Sequence, residues 1–151
     1  MTIYFDMDGT LADFYNVPNW LEYLSNNDSY PYSVATPLYN FSLLARYLNI
    51  LKRKNYKLGI ISWVSMTATA DFAKEIEQAK KDWISKHLPS VEFDEIIITE
   101  YGIPKSIFLS DENDILFDDV KEIRDSWKGI AFPPEEIFDI LRGLIKLEDL
   151  G

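Results

Sequence analysis

The chain opens with an apolar run that ends in two carboxylates, within the stretch Tyr4-Phe5-Asp6-Met7-Asp8-Gly9-Thr10-Leu11-Ala12-Asp13. Residues 1–5 are apolar and β-prone, which predicts one short buried strand. Asp6 and Asp8 follow this strand directly, and Gly9 breaks the run. Because ligands of α/β proteins gather beyond the carboxyl ends of the strands, we expect these two acids to lie in a functional site.

Two carboxylates one residue apart repel each other, so the pair needs a cation, a shared proton or strong hydrogen bonds. Mg²⁺ would supply the charge, because it is a hard cation that prefers oxygen ligands. Gly9 allows the backbone to approach a ligand closely, and Thr10 adds a hydroxyl group. The alternative is a strand followed by an ordinary Asp-Gly turn, which the acidic pattern farther along the chain disfavours.

Composition limits the class of protein. The chain has 151 residues, 47% of them hydrophobic, and a formal net charge of −10. These values predict a single globular domain over residues 1–151. The negative charge disfavours a nucleic-acid polymer or an anionic membrane as a partner, because both attract clustered Lys and Arg.

The metal chemistry open to the chain is also limited. There is no cysteine and one histidine, which excludes thiolate and multi-histidine sites and leaves carboxylates, the ligands that suit Mg²⁺. No signal peptide and no apolar run of membrane length is visible. We therefore expect a soluble, cytoplasmic protein.

Strand-like and helix-like segments alternate along the chain. Further strands are predicted at residues 57–63, 95–99, 115–117 and 129–132. Helices are predicted at residues 17–24, 38–51, 71–88 and 120–127 and from residue 133, with a loop over 26–37. Asp71 is the predicted cap or first residue of the third helix. The alternation predicts an α/β fold, a three-layer Rossmannoid sandwich with a parallel five-stranded sheet.

Polar side chains follow the apolar strands. Ser62 lies at the end of the second strand, and Asp118 and Asp119 follow the fourth. Lys105 lies between the third and fourth strands. Since the carboxyl ends of parallel strands share one edge of the sheet, these residues are candidates for the same site as Asp6.

Each candidate has an alternative. Ser62 could simply bond the backbone at a strand end. Lys80 or Lys81, on the preceding helix, could take the cationic role instead of Lys105. Asp118-Asp119 could cap a helix, although a paired acid after an apolar strand makes this the weaker interpretation. Residues 111–114 resemble part of a calcium loop, but they lack its glycine and spacing, so we predict a solvated turn.

The segment Phe-Asp-Met-Asp-Gly-Thr-Leu-Ala at residues 5–12 resembles the first motif of the haloacid dehalogenase (HAD) superfamily, hydrophobic-Asp-x-Asp-Gly-Thr/Val. Ser62, Lys105 and Asp118-Asp119 match the three later motifs in order, so the resemblance spans nearly the whole chain. It implies the strand order 5-4-1-2-3 and an Mg²⁺-dependent phosphatase.

The resemblance also implies roles for the site residues. Asp6 would be the nucleophile that forms an aspartyl-phosphate, and Asp8 the general acid and base. Ser62 and Lys105 would hold the phosphoryl oxygens. The implied metal ligands are Asp6, the main-chain carbonyl of Asp8, Asp119 directly and Asp118 indirectly. The implied substrate contacts are Met7, Gly9, Thr10 and Trp63.

Substrate specificity in this family usually depends on a cap domain. Here residues 13–37 leave room for a small helical flap only, which predicts an open site. Residues 6–14, residues 96–99 followed by Lys105, and residues 115–119 resemble the 5′(3′)-deoxyribonucleotidase group. This resemblance implies a small phosphorylated substrate, a nucleoside monophosphate. Phe14, Tyr15 and Trp63 either stack on a base or belong to the core. The alternatives are another small or macromolecular phosphoester, or a non-catalytic phosphate-binding module on the same fold.

Overall fold

A computed structural model describes the backbone of residues 1–150 and the side chains of residues 1–147. Its sheet consists of β1 (Thr2–Phe5), β2 (Lys57–Trp63), β3 (Glu95–Thr99), β4 (Ile115–Phe117) and β5 (Ile130–Phe132). All neighbouring strands are parallel, in the order β3-β2-β1-β4-β5. The predicted fold class and strand order are both confirmed, and β1 lies at the centre of the sheet.

Helices cover the sheet unequally. They are α1 (Trp20–Ser25), α2 (Tyr30–Val34), α3 (Phe41–Arg53), α4 (Ala70–His87), α5 (Lys121–Ser126) and α6 (Ile137–Leu150). One face of β1, with Ile3 and Phe5, packs in a large core against residues of α3, α4 and α6. The other face, with Tyr4, packs in a smaller cluster with Trp127. Among the described helices, none is both long and apolar enough to cross a membrane.

The predicted boundaries of two segments were wrong. Residues 26–37 are not a continuous loop, because α2 occupies Tyr30–Val34 with Pro31 in its first turn, where proline is tolerated. Its burial against α4 is a tertiary effect that local propensity does not encode. The cap of α4 is Thr69, whose hydroxyl accepts a hydrogen bond from the Phe72 N–H, and not Asp71.

Residues 13–37 attach to α4 through a second apolar cluster. Phe14 and Tyr32 from this segment pack in that cluster with Phe72 and Ile76 of α4. The indole N–H of Trp83 also donates a buried hydrogen bond of 2.7 Å to the carbonyl of Ala35. The segment is therefore held on the helix that follows β2, next to the carboxyl edge of the sheet.

The turn at residues 111–114 is built around Asp114. The prediction of a solvated turn is wrong for this residue, which is fully buried. One carboxylate oxygen accepts a 2.7 Å hydrogen bond from the Thr2 N–H, and the other accepts from the N–H groups of Ser110 and Asp111. Burial opposes ionisation of Asp114, but these hydrogen bonds outweigh it and hold the pKa of the carboxyl below its usual value.

Replacing Asp114 with alanine should lower the free energy of unfolding by about 2–4 kcal/mol, because buried N–H groups lose their acceptor. Urea unfolding followed by circular dichroism at neutral pH measures this. Glu112→Ala, on the exposed part of the same turn, is the control and should change stability by less than about 0.5 kcal/mol.

Because the folded-state pKa of Asp114 is depressed, its stabilising effect exists above the unfolded-state pKa. The difference between wild type and Asp114→Ala should therefore shrink as the pH falls from the unfolded-state pKa through the folded-state pKa. A variant as stable as the wild type at neutral pH would contradict this account of the turn.

Candidate active site

The carboxyl edge of the sheet gathers the predicted site residues from separate parts of the chain. Asp6 and Asp8 follow β1, Asp118 follows β4, and Ser62 lies near the end of β2. Lys105 begins a short 3₁₀ turn between β3 and β4. The parallel sheet brings these groups together because all of its strands end at this edge.

Asp6, Asp118 and Asp119 form a compact acidic cluster. Each offers one carboxylate oxygen, and these three atoms lie within 4.8 Å of one another. Burial, followed by the negative charge of Asp6, raises the pKa of Asp118 to about 6 and that of Asp119 to about 7. Oxygen ligands this close fit a hard divalent cation such as Mg²⁺, which would relieve their mutual repulsion.

Lys105 bridges two members of the acidic cluster. Its ammonium donates to Asp6 Oδ1 at 3.0 Å and to Asp118 Oδ2 at 2.7 Å, and it is almost completely buried. Burial alone would lower the pKa of Lys105, but the negative charges of Asp6 and Asp118 outweigh this effect and raise it. The residue therefore brings a fixed positive charge to the nucleophile candidate Asp6.

Lys80 brings a second ammonium group to the site. It donates to Asp8 Oδ2 at 3.0 Å and to Ser62 Oγ at 2.7 Å. Lys80 was considered in the sequence only as a substitute for Lys105, yet both lysines reach the site. Lys81 instead forms a partly exposed ion pair with Glu77.

A sequence signal for Lys80 was available. It lies four residues after Ile76 and four before Ile84, and residues at this spacing share one face of a helix. Both isoleucines are buried, and so is Lys80, at 0% exposure. A charged residue in line with an inward apolar stripe therefore indicates a lysine that is buried against the sheet.

Three residues of the first motif, Met7, Gly9 and Thr10, lie beside the acids or in the core. Met7 lies in the main core. The Thr10 hydroxyl lies 3.2 Å from Asp6 Oδ2 and 3.3 Å from Asp119 Oδ1, so it can donate to either. Gly9 has φ of +80°, and a Cβ there would lie 2.4 Å from Asp119 Oδ2. None of the three lines the cavity described below, so the structure places them against the acids and the core.

A cavity of about 410 Å³ opens beside the acids. Its walls are largely apolar and include Phe14, Tyr15, Trp20, Leu21, Leu24, Tyr32, Trp63, Val64, Met66 and Tyr101. Trp63 is fixed there, because its indole N–H donates to the Ile103 carbonyl at 2.9 Å and its ring lies 5.0 Å from that of Tyr101. Phe14 is both core and cavity wall, whereas Tyr15 is half exposed.

Charge is confined to one end of this cavity. Its ionisable acidic lining consists of Asp6, Asp8 and Asp119, and Lys105 is the one basic residue among the described lining residues. A ligand that fills the cavity would therefore meet charge at the acidic end and apolar or aromatic groups elsewhere.

Comparison with solved structures identifies related folds. A structure of a Pnkp1/Rnl/Hen1 complex matches with a TM-score of 0.54 at 16% identity, over 87% of this chain and 44% of that one. D,D-heptose 1,7-bisphosphate phosphatase from Burkholderia thailandensis matches with a TM-score of 0.50 at 12% identity, over 83% of this chain and 70% of that one. No protein-family profile and no curated protein matches the sequence.

The chain therefore shares its α/β fold with these two structures. At these identities the comparisons establish the architecture alone, and the chain spans less than half the length of the first neighbour. The roles of the acids, the lysines and Ser62 are therefore argued from their geometry.

A left-handed backbone costs an L-residue about 1–2 kcal/mol. Gly9→Ala should lower the free energy of unfolding by more than this, because the new Cβ also collides with Asp119. Urea unfolding measures the loss. Two other glycines separate the effects. Gly102 also has a positive φ, of +89°, but a Cβ there would meet no other atom, so Gly102→Ala should show the backbone cost alone. Gly143→Ala, inside α6 and also in open space, should stabilise by about 0.5–1 kcal/mol. Equal losses for Gly9→Ala and Gly102→Ala would contradict the proposed close packing on Asp119.

Proposed function

We propose that this protein is a Mg²⁺-dependent phosphomonoester hydrolase that acts through an aspartyl-phosphate on Asp6. The observation that carries the proposal is the meeting of Asp6 with Asp118, Asp119 and the buried Lys105 at the carboxyl edge of the sheet. A phosphate monoester dianion repels nucleophiles, so a site that attacks it must bring positive charge to an anionic nucleophile. The likeness to a bisphosphate phosphatase supports this chemistry.

The reaction has two steps. A carboxylate oxygen of Asp6 attacks phosphorus, and the bond from phosphorus to the ester oxygen breaks while Asp8 gives that oxygen a proton. Water then attacks phosphorus of the aspartyl-phosphate and passes a proton to Asp8. The bond between phosphorus and the Asp6 oxygen breaks, so inorganic phosphate leaves and both carboxyl groups return to their starting states. We assign to Lys105 and Ser62 the role of holding phosphoryl oxygens, which their position in the lining of the cavity beside Asp6 supports.

The proposed Mg²⁺ ligands are Asp6, the main-chain carbonyl of Asp8, and Asp119. Asp118 is the weaker candidate for direct binding, because its oxygens already accept hydrogen bonds from Lys105 and from the Val120 N–H. When bound, the ion would withdraw charge from a phosphoryl oxygen and screen it from the carboxylates.

The balance of fixed charges supports a single divalent ion. The four carboxylates Asp6, Asp8, Asp118 and Asp119 face the two ammonium groups of Lys80 and Lys105. With Asp8 carrying the proton that the first step transfers, three ionised carboxylates face the two ammonium groups, and one negative charge remains. One Mg²⁺ would then give the site one net positive charge, which attracts the phosphate dianion.

Nucleoside monophosphates are the substrates we propose. The cavity has one charged end for a single phosphate, and its aromatic walls suit a flat base. Trp63 borders both regions, because its ring lies 5.4 Å from the Lys105 ammonium and lines the cavity. The acidic net charge of −10 disfavours the phosphorylated ends of long nucleic acids.

Asp6→Asn should leave the fold intact and lower kcat by roughly a thousandfold or more, because it removes the covalent route. Release of p-nitrophenol from p-nitrophenyl phosphate in Mg²⁺ measures the change. Asp125→Asn, an exposed acid in an ion pair with Lys121, is the matched control and should keep full activity. Turnover by Asp6→Asn close to that of the wild type would rule out Asp6 as the nucleophile.

A panel of phosphomonoesters tests the substrate. We expect hydrolysis of nucleoside monophosphates with kcat/KM values within about tenfold of one another, because stacking tolerates every base. Sugar phosphates and 5′-phosphorylated oligonucleotides should react more slowly. A strong preference for sugar phosphates would contradict the nucleotide proposal and leave the phosphatase mechanism standing.

The same panel tests the metal. EDTA should abolish turnover and added Mg²⁺ should restore it, while Ca²⁺ should inhibit because it favours longer bonds and more ligands. Full activity in EDTA would overturn the metal-dependent site. Binding of phosphate with no turnover of any ester would favour a non-catalytic module instead.

A further inference from the structure

Lys80 is a fully buried charge to which the proposed reaction gives no role. Its ammonium is fully buried, and it donates to Asp8 Oδ2, Ser62 Oγ and the Trp63 carbonyl at 3.0, 2.7 and 2.7 Å. An ammonium group has three N–H donors, so all of them are used. The Tyr32 ring covers the group, with its centroid 5.0 Å from Nζ.

Packing alone does not require a charge at this position. Ile76 and Ile84 flank Lys80 on the inward face of α4 and are both buried. Removing an ammonium from water is costly, and apolar residues often replace buried ion pairs without loss of stability. Two of the three acceptors, Asp8 and Ser62, are candidate active-site residues. The charge therefore serves the site more directly than it serves the core.

Resting on the proposed phosphatase function, we infer that Lys80 is a positioning residue that fixes the general acid Asp8. The ammonium holds Oδ2, so Oδ1 is the oxygen that exchanges a proton with the leaving group. Lys80 also occupies the acceptor side of Ser62, which turns the serine O–H towards the cavity. Lys80 does not line that cavity, and its donors are satisfied, so it acts through these two residues without touching the substrate.

Leaving-group dependence distinguishes this role from a structural one. A nucleoside monophosphate expels an alkoxide and needs the proton from Asp8, whereas p-nitrophenyl phosphate expels a stable phenolate and does not. Lys80→Met keeps an unbranched side chain and removes the ammonium. It should lower kcat/KM, which reports formation of the aspartyl-phosphate, at least about tenfold more for the nucleotide than for p-nitrophenyl phosphate, because acid catalysis contributes about 10²–10⁴-fold.

Lys81→Met is the matched control. It makes the same substitution one residue later, in a partly exposed ion pair with Glu77, and should leave both rates unchanged. Equal falls in kcat/KM for the two esters in Lys80→Met, or no fall for either, would overturn the inference. If the wild type hydrolyses neither ester, the proposed function fails first, and this inference falls with it.

Lys80→Met leaves the Asp8 carboxylate without its partner, which could prevent folding. A double variant tests the inference in that case. Asp8→Asn with Lys80→Met removes both charges of the pair. Lys80 is inferred to act on leaving-group protonation through Asp8. Adding Lys80→Met to Asp8→Asn should therefore change the ratio of kcat/KM for the two esters by less than about twofold, as expected for residues that act as one unit. A further fall in nucleotide hydrolysis relative to p-nitrophenyl phosphate would show that Lys80 acts elsewhere and would overturn the inference.

Discussion

Repulsion among carboxylates at a poorly hydrated edge of the sheet is the constraint on which this architecture depends. Asp6, Asp118 and Asp119 converge where water screens charge weakly, and their own fields work against ionisation. Two ammonium groups from different segments between the strands offset this repulsion, Lys80 on α4 and Lys105 on the 3₁₀ turn. Burial strengthens the attraction between each lysine and its carboxylates. These carboxylates in turn compensate the cost of burying the ammonium group.

The arrangement divides the charges into two neighbouring groups. Lys105 binds the nucleophile candidate Asp6 and its neighbour Asp118, whereas Lys80 binds the acid–base candidate Asp8. Asp119 forms the open side of the cluster and lines the cavity. A spacing of one residue just after β1 thus separates two electrostatic environments. This separation suits a reaction in which one carboxylate must stay anionic while its neighbour exchanges a proton.

Much of this could be predicted from the sequence. The five strands are short apolar runs, because strands covered on both faces need few polar residues, and the acids follow them directly. Other features depend on distant contacts. The α2 helix depends on packing against α4, and Asp114 reaches the Thr2 N–H across 112 residues of sequence. Lys80 and Asp8 are 72 residues apart, so only the folded chain decides which lysine meets which acid.

Met7 has a consequence for how this chain can change. Its side chain is buried in the main core, while the carboxylates on either side of it face the site. Close-packed interiors transmit small changes of volume to the backbone, so a larger or smaller residue at this position would alter the spacing of Asp6 and Asp8. The choice of residue 7 is therefore restricted by the geometry of the site as well as by stability. Core substitutions that leave the melting temperature unchanged can still alter the geometry of a site built in this way.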